Sequence, residues 1–260
     1  MFAKMNWIAC LIAAVMLVAA PPAVADEAVD KAFEVLATYD WGSNRGELKP
    51  IDDAVIAAHG NAEAAKALEV KLAAVLGSDA KHAAKDYACR QLSLIGTAES
   101  VPALAALLTD EKLSHMARYA LERMPCDEAV AAVRDALGKT DGKVKVGVIN
   151  TLGVRRDAAS TDALIALTGD SDPMVAGAAA SALGAIGTPE AAKALAALQE
   201  KAPAELRLVA ADAYLACAEK LLAAGKKADA MKIYQALSKS DIKHVGLAAK
   251  RGLVAAMGSK

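Results

Sequence analysis

The amino-acid sequence predicts an all-α fold in which repeated helical hairpins stack into an α-solenoid. The composition is 55% hydrophobic but only 3% aromatic, so the core must be built mainly from Ala, Leu and Val. Ala, Leu, Lys and Glu favour helices, whereas the long runs of β-branched residues that strands prefer are absent. A third observation is an internal repeat of about 30 residues in the second part of the chain.

The first 25 residues, 1–25, have the features of a signal peptide. Lys4 supplies a positive charge, an apolar stretch covers residues 7–20, and residues 23–25 (Ala-Val-Ala) form a small-x-small cleavage pattern. The mature chain is then expected to begin at Asp26, to be periplasmic or secreted, and to have no membrane span. An N-terminal membrane anchor is the alternative, although two prolines, at 21 and 22, interrupt the apolar stretch.

Residues 26–77 are expected to form an N-terminal helical cap. Helical periodicity runs over 26–39, 51–59 and 61–76. The intervening segment 38–50 is rich in turn formers and contains Trp41, the only tryptophan after the leader. We interpret this loop as a cover for the first apolar face, with a partner contact at Trp41 as the alternative.

Residues 78–260 contain the repeat. A leucine recurs, with a small or β-branched residue four positions earlier, so that both lie on one helix face. These leucines are Leu92, Leu121, Leu152, Leu183, Leu215 and Leu253. Twelve residues after the first four of them stand Leu104, Val133, Leu164 and Leu195. In the fifth unit the equivalent residue is predicted to be Met231, after a four-residue extension.

Each unit is therefore predicted to be two helices joined by a short turn. The first helices are predicted over 81–95, 112–124, 142–153, 173–186, 203–222 and 242–257. The second helices are predicted over 99–108, 127–138, 159–168, 188–199 and 226–238. Pro and Gly fall where helices begin or end, as at 187–189 (Gly-Thr-Pro). Because one hairpin cannot bury its apolar face alone, neighbouring units must stack.

These units resemble HEAT repeats, particularly the short HEAT-like repeats of phycobilisome lyases, as in DPMVAGAAASALGAIGTPEAAKALAALQE (172–200). Residues 110–125 and 147–167 are similar to units of exported bacterial HEAT-repeat proteins. The segment GKKADAMKIYQAL (225–237) is similar to half of a tetratricopeptide repeat (TPR), which indicates a longer, TPR-like last full unit. The resemblance implies a right-handed superhelix and an extended binding surface; it specifies no activity.

Composition and motifs argue against several functions. The formal net charge is −1 and no basic block occurs, which argues against nucleic acid as a partner. No Gly-x-Ser-x-Gly, Walker A or His-Glu-x-x-His motif is present, and the four histidines lack metal-ligand spacing. We therefore expect no enzyme activity and no cofactor, but a scaffold for an unidentified protein or peptide. The alternative is an accessory subunit of an exported enzyme that binds an anionic ligand.

The first candidate binding site is Arg155-Arg156-Asp157, in the turn between the helices of the third unit. Other units have Gly, Thr or Pro in this turn. The paired arginines could bind a carboxylate or phosphate through two parallel hydrogen bonds. Alternatively, they could bond to carbonyls at a helix C terminus or to Asp residues in neighbouring turns.

Two further clusters are candidates. His115, Arg118, Tyr119 and Glu122 have the spacing of neighbours on one helix. Such a polar and aromatic stripe suits protein binding, or it is a solvated face with a local ion pair. The third cluster is the loop around Trp41. Its other members are Tyr39, Asp40 and Arg45.

Overall fold

The computed structural model describes the backbone of residues 22–258 and side chains from residue 27 onwards. The predicted leader lies outside the described residues, except for positions 22–25. The described part of the chain forms 14 α-helices and three short 3-10 helices, and it contains no strand. Each helix packs mainly against its neighbours in the chain and in the next unit. The prediction of an all-α solenoid is therefore confirmed.

The helix bounds agree with the predicted repeat to within a few residues. The N-terminal helices are α1 (Pro22–Thr38), α2 (Lys49–Ala57) and α3 (Ala62–Gly77). The first helices of the units are α4 (His82–Ile95), α6 (Ser114–Arg123), α8 (Gly142–Arg155), α10 (Pro173–Ile186), α12 (Arg207–Ala223) and α14 (Lys243–Gly258). The second helices are α5 (Val101–Ala105), α7 (Asp127–Ala136), α9 (Thr161–Leu167), α11 (Pro189–Lys201) and α13 (Lys227–Leu237).

Local sequence sets several helix starts. The side chain of Asp172 accepts a hydrogen bond from the backbone N of Met174 at 2.8 Å, and Pro173 follows as the first helical residue of α10. Thr188 likewise accepts from the backbone N of Ala191 at 3.1 Å. A proline in the first turn loses no helical hydrogen bond, so these pairs define where the helices begin.

The predicted leucine column is the core of the first four units. Leu92, Leu121, Leu152 and Leu183, the ladder leucines, are all 0% exposed. Their counterparts in the second helices, Leu104, Val133, Leu164 and Leu195, are at most 1% exposed. Burying a leucine side chain stabilises a fold by about 2 kcal/mol relative to leaving it exposed. The two columns therefore hold each hairpin together and join it to its neighbours.

In the fifth unit the predicted register is wrong. Leu215 is only half-buried, whereas Leu221 is 0% exposed. Ile233, twelve residues after Leu221, is 2% exposed and continues the second column in place of Met231. The extra length of this unit therefore lies before Leu221 and not in the turn of the hairpin. The longer hairpin itself is confirmed, because α12 has 17 residues.

Glycines let successive first helices pack backbone against backbone. Gly153 and Gly184 each follow a ladder leucine by one residue. A Cβ atom at Gly153 would lie 2.9 Å from the Cα atom of Ala182. At Gly184 it would lie 2.4 Å from the carbonyl oxygen and 2.9 Å from the Cα atom of Ala213. The spacing of α8, α10 and α12 thus depends on residues without a side chain.

We predict that Gly184→Ala destabilises the protein by about 2 kcal/mol, because the added methyl group must separate two backbones. Gly177→Ala in the same helix is the control, since its Cβ would meet only side-chain atoms of Leu206 and Val209, at 3.6 and 3.7 Å. This control is expected to be neutral or stabilising by up to about 1 kcal/mol. Urea unfolding followed by circular dichroism measures both, and equal effects would contradict the prediction.

Buried hydrogen bonds attach the N-terminal helices to the first unit. Glu69 of α3 is 2% exposed and accepts hydrogen bonds from the backbone N of Thr97 at 2.6 Å and of Ser100 at 3.2 Å. From α4, the hydroxyl of Tyr87 donates to Oδ1 of Asp52 at 2.9 Å. Because these groups leave water on folding, their pairing fixes the position of α2 and α3 against α4 and α5.

Candidate interaction surfaces

Arg155 is the last residue of α8 and turns back towards the preceding unit. Its Nη1 donates hydrogen bonds to the carbonyl oxygens of Glu122 at 3.2 Å and Leu121 at 3.4 Å, and also to that of Met124. Its Nη2 donates to the carbonyl oxygen of Cys126 at 3.3 Å. These carbonyls belong to the end of α6 and the turn that follows. The guanidinium therefore satisfies helix-end acceptors, as in the second of the two alternatives for this turn.

Asp157 is also engaged within the fold. Its side chain is 8% exposed and accepts two hydrogen bonds from Arg134 of α7, at 2.8 Å from Nη2 and 2.9 Å from Nε. The hydroxyl of Ser160 donates a further bond to the same carboxylate. Burial alone would raise the pKa of Asp157, but the bonds from Arg134 and Ser160 outweigh it and lower the pKa below the ordinary 3.8.

We predict that acid weakens the fold through Asp157. Because the pKa is lower in the folded than in the unfolded chain, the carboxylate stabilises the fold above pH 3.8, and this contribution is lost as the pH falls through the folded value. Asp157→Asn is expected to lower the free energy of unfolding at neutral pH by about 2 kcal/mol and to lose less on acidification.

Asp162→Asn is the matched control for Asp157, because this aspartate lies exposed on α9. Its free energy of unfolding is expected to change by less than about 0.5 kcal/mol. Urea titrations of the three proteins at neutral and acidic pH make the comparison. An Asp157→Asn variant with the stability and pH dependence of the wild type would show that the Arg134 pair contributes nothing.

Arg156 differs from both of its neighbours. It caps the end of α8 in the left-handed region, with φ of +52°, and its side chain is exposed. Within the described residues its guanidinium has no hydrogen bond or ion pair. In the next two units, Gly187 and Gly225 stand four positions after the buried Leu183 and Leu221, with φ of +69° and +76°. The third unit therefore has an arginine in a left-handed position that the next two units fill with glycine.

We predict opposite effects on stability for the two arginines. Arg155→Ala is expected to destabilise the fold by about 1 to 3 kcal/mol, because several carbonyls lose their donor. Arg156→Gly is expected to be neutral or to stabilise by about 1 kcal/mol, because it relieves a left-handed backbone without removing a bond. Thermal and urea unfolding distinguish the two. Destabilisation by Arg156→Gly as large as that by Arg155→Ala would contradict this assignment.

The predicted stripe on α6 is divided between two environments. Arg118 is half-buried and lies against α8, where its Nη1 donates to the carbonyl oxygen of Gly147 at 3.0 Å. A Cβ atom at Gly147 would lie 2.4 Å from Nη2 of Arg118, so the guanidinium occupies the space that the missing side chain leaves open. Burial lowers the pKa of Arg118, and the charge of Glu122 partly offsets this. Arg118 and Glu122 thus belong to the joint between α6 and α8.

The other two members of the stripe face outwards. His115 is exposed. Tyr119 is half-buried under the side chain of Arg123, which is not among the predicted site residues. The guanidinium carbon of Arg123 lies 3.7 Å from the centre of the Tyr119 ring, and Nη1 of Arg123 donates to the carbonyl oxygen of Tyr119 at 3.3 Å. The spacing of four residues on one helix was the signal that could have indicated this pair.

Trp41 itself does not cover the first apolar face, although other residues of the same loop do. Tyr39 and Leu48, which belong to the segment 38–50 and are 8% and 0% exposed, pack into the core in its place. Trp41 is 69% exposed and its ring stands beside the start of α4. The adjacent Asp40 pairs with Lys81 at 2.9 Å, and that hydrogen bond lowers the pKa of Asp40. Only the loop residues nearest the ends of the flanking helices, Tyr39 and Leu48, reach the core.

The described residues contain neither a cluster suited to a metal ion nor a helix suited to span a membrane. Residues 22–258 bring together no group of three or more His, Cys, Asp or Glu side chains that could hold a metal ion. In the same part of the chain, no helix has the length and apolar character to cross a membrane.

Comparison with known proteins supports the repeat assignment. Residues 130–214 match the family described as HEAT repeats. The fold is thus an all-α solenoid whose central part is similar to HEAT repeats. No curated protein matches the chain.

Among solved structures, one engineered protein is 23% identical, covering 89% of this chain and 69% of its own, with a TM-score of 0.44. A second engineered protein is 24% identical, covering 88% of this chain and 96% of its own, with a TM-score of 0.33. Human deoxyhypusine hydroxylase in complex with glycerol is 18% identical, covering 74% of this chain and 97% of its own, with a TM-score of 0.34.

Proposed function

We propose that this protein is an exported, non-enzymatic scaffold that binds another protein or a peptide along its stacked helices. The observation that carries the proposal is the solenoid with HEAT repeats, a class that generally serves as an interaction scaffold. Side chains on the first helices project from a core of ladder leucines, so they are presented by rigid elements.

The leader supports export. Its positive residue, apolar stretch and small-x-small pattern occur in the order of a signal peptide. The N-terminal anchor remains the alternative for residues 1–25. In either case the HEAT-like units would act outside the cytoplasm, where exported bacterial proteins with similar units are found.

A protein partner is favoured over a small anionic ligand. The anionic-ligand alternative requires both Arg155 and Arg156 to face a ligand. Arg155 is instead bonded to four carbonyl oxygens of the protein. A single exposed guanidinium gives a small anion few contacts, whereas a protein partner also uses the neighbouring apolar surface.

We predict that the whole chain, expressed in its source cells with a C-terminal tag and crosslinked before lysis, is recovered with Asp26 as its N-terminal residue. One protein is expected to co-purify in fixed proportion. N-terminal sequencing and mass spectrometry measure the two outcomes, and a crosslinked, tagged cytoplasmic protein is the control. Recovery of the intact leader would favour the anchor, and recovery without any specific partner would contradict the scaffold proposal.

A further inference from the structure

We propose that the outward faces of α4, α6 and α8 bind an acidic protein segment that also carries apolar side chains. This inference rests on the proposed function and assigns the chemistry of the partner. The surface, here the α4–α8 patch, consists of Leu94, Tyr119, Arg123, Val154 and Arg156.

The repeat places the patch residues in one row. Leu94, Arg123 and Val154 each stand two positions after a ladder leucine, on three successive first helices. These helices pack side by side, α4 on α6 and α6 on α8. Packed helices lie about 10 Å apart, so the row is about 20 Å long. Arg156 extends it at the end of α8.

The row exposes apolar surface next to an ordered arginine. Leu94 and Val154 are 68% and 62% exposed, although Leu92 and Leu152 on the same helices are 0% exposed. Between them, Arg123 is held on the Tyr119 ring by stacking and by a hydrogen bond to the backbone. An arginine that is already ordered loses less conformational entropy when it binds a carboxylate, and Arg and Tyr contribute strongly to binding energy in interfaces.

The charge of the patch selects an acidic partner. Among the described residues, Arg45, Arg90 and Arg134 each pair with an aspartate. Arg123 and Arg156 have no carboxylate within 4.0 Å, so their charges are not compensated within the described part of the chain. Aliphatic side chains beside two uncompensated guanidinium groups fit a segment that alternates carboxylates with apolar residues. An anionic membrane is disfavoured by the net charge of −1 and the lack of a basic block.

The backbone of Arg156 gives independent support. A left-handed backbone is unfavourable for a residue other than glycine, and the next two units avoid this cost with glycine at the same position. An arginine here directs its side chain to solvent without any bond that would stabilise the fold. A binding role explains why the strained turn carries this side chain.

Peptide display on the whole chain tests the proposal. The probe is a library of random peptides about 12 residues long, which span the row when extended. Selected peptides are expected to be enriched in Asp and Glu together with apolar residues. The double variant Arg123→Gln/Arg156→Gly is expected to bind them about tenfold more weakly, measured by fluorescence anisotropy at physiological salt. The matched control is Arg207→Gln/Arg251→Gln, which removes two exposed arginines outside the patch and is expected to bind as the wild type does.

Several results would overturn the proposal. One is selection of peptides without acidic enrichment, and another is equal binding by the double variant and the wild type. The wild type is also tested on phosphatidylglycerol vesicles. If the double variant loses binding to these vesicles but keeps binding to the peptides, the patch is a membrane site instead. Self-association that the double variant abolishes would indicate a second copy as the occupant. A crosslinked cellular partner that still binds the double variant would preserve the scaffold function and reject this patch.

Discussion

The close approach of successive first helices is the constraint on which the other features of this protein depend. The ladder leucines fill the space inside each unit, but the distance between units is set by small residues such as Gly153 and Gly184, which meet Ala182 and Ala213 at the backbone. Such an interface is closely packed, so each helix end is held at a defined position along the axis of its neighbour. Bonds between turns, such as Arg134 to Asp157, require that alignment.

The joint between α6 and α8 is built differently from those further along the chain. A half-buried Arg118 lies there in place of close backbone contact, bonded to Gly147 and near the hydroxyl of Thr151. A charged side chain loses hydration at such a site, and well-aligned hydrogen bonds within the protein must offset this loss. In this polar joint, directional hydrogen bonds therefore fix the relative position of α6 and α8 more than side-chain packing does. The joint connects the two helices whose outward faces carry Tyr119 and Val154.

Periodicity predicted the fold because it depends on the residues that fill the core. Buried columns of Leu at the helical spacing are sufficient to locate α4 to α11. The register of α12 failed because Leu215 and Leu221 both fit a helical pattern, and only packing against α13 shows which one is buried. Site residues are harder to predict because their directions depend on the turn. The pair Arg155 and Arg156 looked equivalent in sequence, but the left-handed backbone at Arg156 turns one side chain inwards and the other outwards.

The position of α8 explains how the protein tolerates that strained turn. The helix is fixed on one side by the contact of Gly153 with α10, and on the other by the bonds of Arg155 to the end of α6. A backbone held from both sides can retain an unfavourable φ value at its last residue, because relaxing it would break several contacts that are worth more together. The same rigidity gives Arg156 a defined place relative to Arg123 on α6. The arrangement that stabilises the solenoid thus also fixes the backbone positions from which the two arginines proposed to bind an acidic partner project.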